Sequence, residues 1–291
     1  MEQTTKDFYV LTLSATLFHV SSQLVAPIFP LYLLSKGAST FEIGLIISLE
    51  PLFTIFSKFF LSFLIDRSGR WPIIATSMIG QSLSMLLYSV APSLIWLYPI
   101  RVFQTVSLAL FTPAAVSIIY DLSPSTKRGD FVGKYLTSYG TATMVGPLIC
   151  SILSERSVEY RGILLSSAVF SFIGVVLLFT TIPLSRMRGS QGLREGLNAV
   201  SSGNTRMLKG LMLSREGLVL TYIRMAFSLA DAFFTTIFAL YVSEDLLYPT
   251  STVALLFTVK GVTNTLFRIP SGMLTDRVGR VKPLLLAYGL L

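Results

Sequence analysis

Apolar residues run through this chain in long blocks, at residues 8–34, 41–65, 72–91, 93–120, 131–153, 161–182, 217–242 and 250–275, and a ninth opens near 283. About twenty consecutive apolar residues cross the hydrocarbon of a bilayer as a helix, so each block predicts a spanning helix. Short polar links such as Ser35-Lys36-Gly37 and Ala91-Pro92-Ser93 make consecutive spans antiparallel neighbours. The one long break, 183–216, holds Arg186, Arg188, Arg194, Glu195, Arg206, Lys209, Arg215 and Glu216. It divides the chain. The expected organisation is an all-α polytopic membrane protein with a six-helix bundle over 1–182, an inter-bundle loop over 183–216, and an incomplete second bundle over 217–291.

Composition agrees. The 291 residues are 52% hydrophobic and 13% charged, with a mean hydropathy of +0.69, whereas a soluble domain carries about a quarter charged residues. The first apolar run is too long for a cleaved signal peptide. The net charge of +8 would fit a nucleic-acid partner, but its placement argues for topology instead. Fifteen Lys and Arg fall on one side of the predicted spans and three, Lys36, Arg156 and Arg161, on the other. Basic loops stay in the cytoplasm, so the N-terminus and the long break are expected there, in the cell membrane. Cys150 is the single cysteine and sits in an apolar run, which excludes an intrachain disulfide and a cysteine-only metal cluster. With one histidine besides, neither a metal centre nor a cofactor is expected. Gly129-x3-Gly133-Lys134-Tyr135 is one residue short of a phosphate loop and has Tyr where Ser or Thr must ligate magnesium. No nucleophile–base constellation marks an enzyme.

Two short charged stretches stand out between apolar runs. One reads Ser62-Phe-Leu64-Ile-Asp66-Arg67-Ser-Gly69-Arg70-Trp71, the other Gly272-Met-Leu274-Thr-Asp276-Arg277-Val-Gly279-Arg280-Val-Lys282, 210 residues apart at the aspartates. Each reads as a tight charged turn at a membrane surface. Val10-Leu11-Thr12 also matches Val219-Leu220-Thr221, and Leu31-Tyr32 matches Leu240-Tyr241, both at an offset of 209. Spans one and two therefore correspond to seven and eight in the same orientation. Parallel six-helix halves build one large class of secondary transporters.

On these residues the chain resembles a major facilitator superfamily transporter, specifically the drug:proton antiporter branch. The two Asp-Arg-x-Gly-Arg stretches are similar to that superfamily's signature between spans two and three and to its echo between eight and nine, with Ser62 in place of the leading Gly of the first copy. Arg101-x-x-Gln104-Thr105 in span four resembles the family's Arg-x-x-Gln-Gly. Gly133, Ala142, Gly146, Pro147 and Cys150 in span five resemble the antiporter signature, with Ala142 and Cys150 replacing glycines. The resemblance implies a fold of two six-helix bundles that move small molecules by alternating access. It implies that Asp66, Arg67, Gly69, Arg70, Gly272, Asp276, Arg277, Gly279 and Arg280 latch one conformation, with a hinge at Gly133, Ala142, Gly146 and Pro147.

Ionisable residues within spans are His19, Glu50, Lys58, Arg101, Arg224, Asp231 and Lys260, with Arg268 near the end of the eighth. A charge at bilayer depth faces a cavity or a partner. At about 1.5 Å per residue, Glu50 and Arg101 lie roughly 12–14 Å inside the outer surface, and Asp231 and Lys260 roughly 15–17 Å. Depth therefore pairs Glu50 with Arg101 and Asp231 with Lys260, and the repeat maps Glu50 onto Lys260. The expectation is two intramembrane ion pairs, with Asp231 or Glu50 carrying a coupling proton and His19 and Gln104 as further substrate or proton contacts. Static pairs that only register helices are the alternative. Pro27, Pro30 and Pro113 permit kinks, and Phe8, Tyr9, Trp71, Trp96 and Tyr98 read as interface anchors. The function expected is proton-coupled export of amphipathic small molecules, with lipid, substrate and protons as partners and a monomer as the full-length form. Uptake of a sugar or organic acid remains open, as does a truncated, non-transporting membrane protein, since the chain stops within the ninth run.

Overall fold

The structure is a computed structural model that describes residues 2–124, 127–181 and 214–278. Among these, regular structure is helical throughout: α1 Glu2–Val25, α2 Phe29–Ser35, α3 Thr40–Ser68, α4 Arg70–Val90, α5 Leu97–Leu122, α6 Arg128–Glu155, α7 Tyr160–Thr181, α8 Arg215–Leu240 and α9 Thr250–Val278. Six helices, α1 and α3 to α7, contain stretches long and apolar enough to cross a membrane. The loop up to residue 213, the ninth run, Gly279 and Arg280 lie outside the described residues.

The first predicted span is two helices rather than one. The residue before a proline is pushed out of the helical region, so Pro27 ends α1 within a short turn over residues 26–28. Pro30 falls in the first turn of α2, where its missing N–H has no helical partner to lose. The predicted charged turns are also mostly helix. α3 continues through Asp66 and Arg67 to Ser68, and α9 through Gly272, Asp276 and Arg277 to Val278. Only Gly69 separates α3 from α4. Its φ of 80° is a left-handed conformation open to glycine at little cost, so one residue makes the reversal.

Local signals set the other ends. Ser39 and Glu42 form a reciprocal capping box at the start of α3: the Ser39 amide and hydroxyl donate to Glu42 Oε2 (2.8 and 2.7 Å), and the Glu42 amide donates to Ser39 Oγ. Gly37, with φ of 83°, terminates α2. Lys36 Nζ reaches the Ala91 carbonyl beyond α4 (3.1 Å), a cation at the negative end of a helix.

α1 packs along α6 and α7, α4 along α5 and α7, and α3 along α5. Lipid gives helices no hydrophobic reason to associate, so close packing and hydroxyl hydrogen bonds carry the work. Buried serines do this here. Ser167 Oγ donates to the Ser21 carbonyl (2.7 Å), Ser171 Oγ to the Met78 carbonyl (2.9 Å) and Ser82 Oγ to the Ala168 carbonyl (2.9 Å). Phe8, an expected interface anchor, is buried in this bundle with its ring 4.6 Å from that of Phe131.

α6 joins the two halves. One side meets α1 at Gly146, where an added Cβ would lie 2.8 Å from Gln23 and Leu24 backbone atoms. The other meets α9, where a Cβ on Gly261 would strike the Thr143 carbonyl. Of the expected hinge, Ala142, Gly146 and Pro147 are buried, while Gly133 is exposed with open space around it. At the sparsely charged end, Leu31 from α2 packs with Ala239, Val242, Val253 and Phe257 of the second half, and Ser151 Oγ donates to the Ser251 carbonyl (2.8 Å).

Overpacking a tight contact costs about 1–3 kcal/mol. Gly146→Val should therefore lower the thermal unfolding midpoint of the purified protein in detergent. Gly133→Ala, in open space, should leave it within error.

Candidate functional site

Between the halves lies a cavity of about 420 Å³, within the range that holds small organic ligands. Its walls come from α1, α2, α3, α5, α6, α8 and α9, and all four paired charges line it: Glu50, Arg101, Asp231 and Lys260. Gln23, Gln104, Tyr139, Thr143, Thr235 and Asn264 add polar atoms, and Phe29, Leu108, Pro147 and Phe257 add apolar surface.

The pairs that depth matching drew are both present, and they differ in construction. Arg101 Nη2 donates to Glu50 Oε2 (2.5 Å) and Nη1 to Gln104 Oε1 (3.0 Å). Its guanidinium lies 4.6 Å from the Phe29 ring centroid, a cation–π arrangement. Gln104 Oε1 also accepts from the Tyr88 hydroxyl (3.1 Å), and the Tyr88 carbonyl accepts from the Tyr32 hydroxyl (2.6 Å). Arg101 is thus locked from three directions, and only 7% of it is exposed. The second pair is looser. Lys260 Nζ donates to Asp231 Oδ1 (2.8 Å), and the two side chains remain 37% and 51% exposed. Its other neighbours are rings, Phe234 at 5.0 Å and Phe257 at 6.0 Å.

His19 is buried behind this wall. Its ring stands edge-on to Phe18, Phe111 and Tyr139 at 5.2–5.5 Å, and it does not line the cavity. Gln104 does, as the acceptor that orients Arg101 and Tyr88. The side chains of Lys58, Asp66, Arg67, Arg224 and Arg268, and those of residues 269–278, lie outside the described ones.

Arg70 is described. It is buried and forms an ion pair with Asp121 at the end of α5, while its Nη1 donates to the Ser117 carbonyl (3.3 Å). Asp121 escaped the sequence reading, although an acid at the end of an apolar run, across from a basic turn, was the available signal. Phe29, Phe234, Phe257, Gln23, Tyr139 and Asn264 escaped it too. Their types are ordinary in spans, and only the packing turns five of them to the cavity and sets Phe234 against the Lys260 ammonium.

Residues 11–291 match the Major Facilitator Superfamily. The chain belongs to this family, as a multi-pass membrane protein. It is 24% identical over 268 residues to the quinolone resistance protein NorA of Staphylococcus aureus (strain MSSA476), an alignment that covers 91% of this chain and 66% of that one. Over 171 residues it is 25% identical to an uncharacterized MFS-type transporter of Methanocaldococcus jannaschii, covering 59% of this chain and 43% of that one. The fold is similar to that of a bacterial homolog of the human lysosomal transporter Spinster in an inward-facing, unoccupied conformation. There the TM-score is 0.78 at 17% identity, over 94% of this chain and 63% of that one. A D-xylose-proton symporter matches at TM-score 0.70 and 14% identity, over 93% and 68%. The chain thus spans about two thirds of the length of the curated NorA relatives it matches.

The two pairs should respond differently to loss of the acid. Glu50→Leu leaves a buried guanidinium short of its strongest acceptor and should cost about 1–3 kcal/mol. Asp231→Leu frees a half-exposed lysine and should cost under about 1 kcal/mol. Thermal unfolding midpoints of the two variants, measured in the same detergent, check the order.

Proposed function

We propose that the full-length protein is a secondary transporter of the cell membrane, with its N-terminus in the cytoplasm, that exports small amphipathic molecules by alternating access in exchange for protons. The observation that carries this reading is the half-exposed Asp231–Lys260 pair inside the cavity between the halves. Desolvation favours the neutral form of a carboxyl group and a nearby cation favours the charged one. When α8 and α9 shift against each other, Asp231 loses its partner and takes a proton. A substrate cation and a proton are then alternative occupants of one carboxylate, and this couples their movements in opposite directions.

Glu50 serves a different purpose. Arg101, held by Gln104 and seated on Phe29, keeps it in place, so this pair registers α3 against α5. The likeness to NorA, whose name says that it confers quinolone resistance, supports export over uptake. Arg70 bound to Asp121 supports a latch at the basic end, where the first Asp-Arg-x-Gly-Arg stretch lies. The apolar cluster of Leu31, Val242, Val253 and Phe257 closes the opposite, outer end, and release to the outside requires it to part.

The test uses the full-length protein in inside-out vesicles, with a proton gradient driving accumulation of a fluorescent lipophilic cation. Asp231→Asn should lower gradient-driven accumulation at least about tenfold, while Glu50→Gln, still able to accept from Arg101, keeps most of it. Unchanged coupling in Asp231→Asn would remove the assignment. Accumulation that ignores the gradient even in the unaltered protein would favour a different kind of carrier.

A further inference from the structure

Lys260 is held by one carboxylate and by aromatic faces. Its ammonium meets one carboxylate oxygen of Asp231 at 2.8 Å and lies over two aromatic faces, Phe234 at 5.0 Å and Phe257 at 6.0 Å. One ring is buried and the other, Phe234, is 45% exposed and held by stacking. Phe234 stacks on Phe238 with centroids 4.5 Å apart and planes 16° from parallel, and Phe257 is 8% exposed and packs beside Phe238. A carboxylate set among aromatic faces is the environment that recognises ammonium ligands in general. Here the protein's own side chain fills it. The lysine stem is flexible and its head is a compact point charge with rotatable donors, so it leaves such a seat more readily than a guanidinium fork would. Arg101 shows the contrast: it too rests on a ring beside a carboxylate, but Gln104 holds it as well.

We infer that Asp231, Phe234 and Phe257 form a cation site for the substrate, that Lys260 is its internal occupant when the cavity is empty, and that a substrate ammonium carried next to an aromatic or aliphatic group binds by displacing it. The inference rests on the reading of this cavity as a substrate site and adds the chemistry of the ligand. Among the described residues, the other charged groups lining the cavity are Glu50 from α3 and Arg101 from α5, already committed to each other; α6 contributes Tyr139 and Thr143. Asp231 is therefore the carboxylate that a ligand cation reaches. Its own exposure of 51% leaves a face open to the incoming group before Lys260 departs. Competition then sets selectivity: a ligand lacking a positive charge cannot replace the lysine and is refused.

The experiment measures binding of benzyltrimethylammonium to the purified full-length protein at fixed pH by calorimetry, without a gradient. Lys260→Met keeps the stem and removes the charge, and it should tighten binding about tenfold or more. Lys260→Arg, which refills the site with a cation, should not tighten it. Phe234→Leu and Phe257→Leu should each weaken binding several-fold. Unchanged or weaker binding in Lys260→Met would overturn the proposal. A second readout needs no variant. Saturating ligand should raise reductive methylation of Lys260 in the native protein, read by mass spectrometry, and protection of Lys260 instead would overturn it as well. Displacement without proton-driven transport would sink the export reading alone, and transport without displacement would sink this inference alone.

Discussion

A charged side chain within a bilayer must be paired or face water, because leaving it in hydrocarbon costs a few kcal/mol or more. Much of this structure follows from how four such charges meet that demand. Glu50 on α3 and Arg101 on α5 tie two neighbouring helices of the first half together, and Asp231 on α8 and Lys260 on α9 tie two of the second. All four open on one cavity. The polar walls of that cavity, with Gln23, Gln104, Tyr139, Thr143, Thr235 and Asn264, surround the charges with hydrogen-bonding groups.

Similar pairing chemistry yields two different devices because the surroundings differ. Arg101 carries five donors in a planar fork, and Glu50, Gln104 and the Phe29 face occupy it from several sides. Tyr88 and Tyr32 extend the chain of hydrogen bonds into the bundle core, so moving Arg101 disturbs α2, α4 and α5 together. Lys260 has one oxygen partner and two rings, and its removal disturbs little else. The division falls along the difference between a guanidinium and an ammonium. Around them, α6 passes close to α1 at Gly146 and to α9 at Gly261. The N-terminal bundle thus borders the second half mainly along α6, with Leu31 of α2 packed against it at one end.

The internal repeat is instructive where it breaks. The offset that aligns Asp66 with Asp276 also aligns Glu50 with Lys260, and these residues do sit on corresponding helices, α3 and α9. Yet one is an acid and the other a base, and their partners come from non-equivalent elements, α5 in the first half and α8 in the second. Symmetry of backbone has survived in the two halves while the chemistry at the matched site has reversed sign.

What the sequence by itself determined is set by the solvent. Hydrocarbon demands about twenty apolar residues per helix, so the order of the helices is written in composition, and among the described residues six of them, α1 and α3 to α7, are long and apolar enough to cross a membrane; intramembrane charge is rare enough that matching depths paired Glu50 with Arg101 and Asp231 with Lys260. The breakpoint at Pro27 was legible in kind, since proline removes a donor, but its conversion of one span into α1 and α2 was not. The predicted charged turns proved to be helix, as far as Ser68 in the first copy and throughout the described part of the second, because helix propensity continues past the hydrocarbon edge; in the first copy Gly69, with positive φ, stops it. Rotation about each helix axis was hidden throughout, since apolar spans carry no strong period to mark an inner face. Which way His19 and the phenylalanines point is therefore a product of tertiary packing alone. That rotation buried His19 among Phe18, Phe111 and Tyr139, brought Asp121 to Arg70, and set Phe234 and Phe257 beneath the Lys260 ammonium.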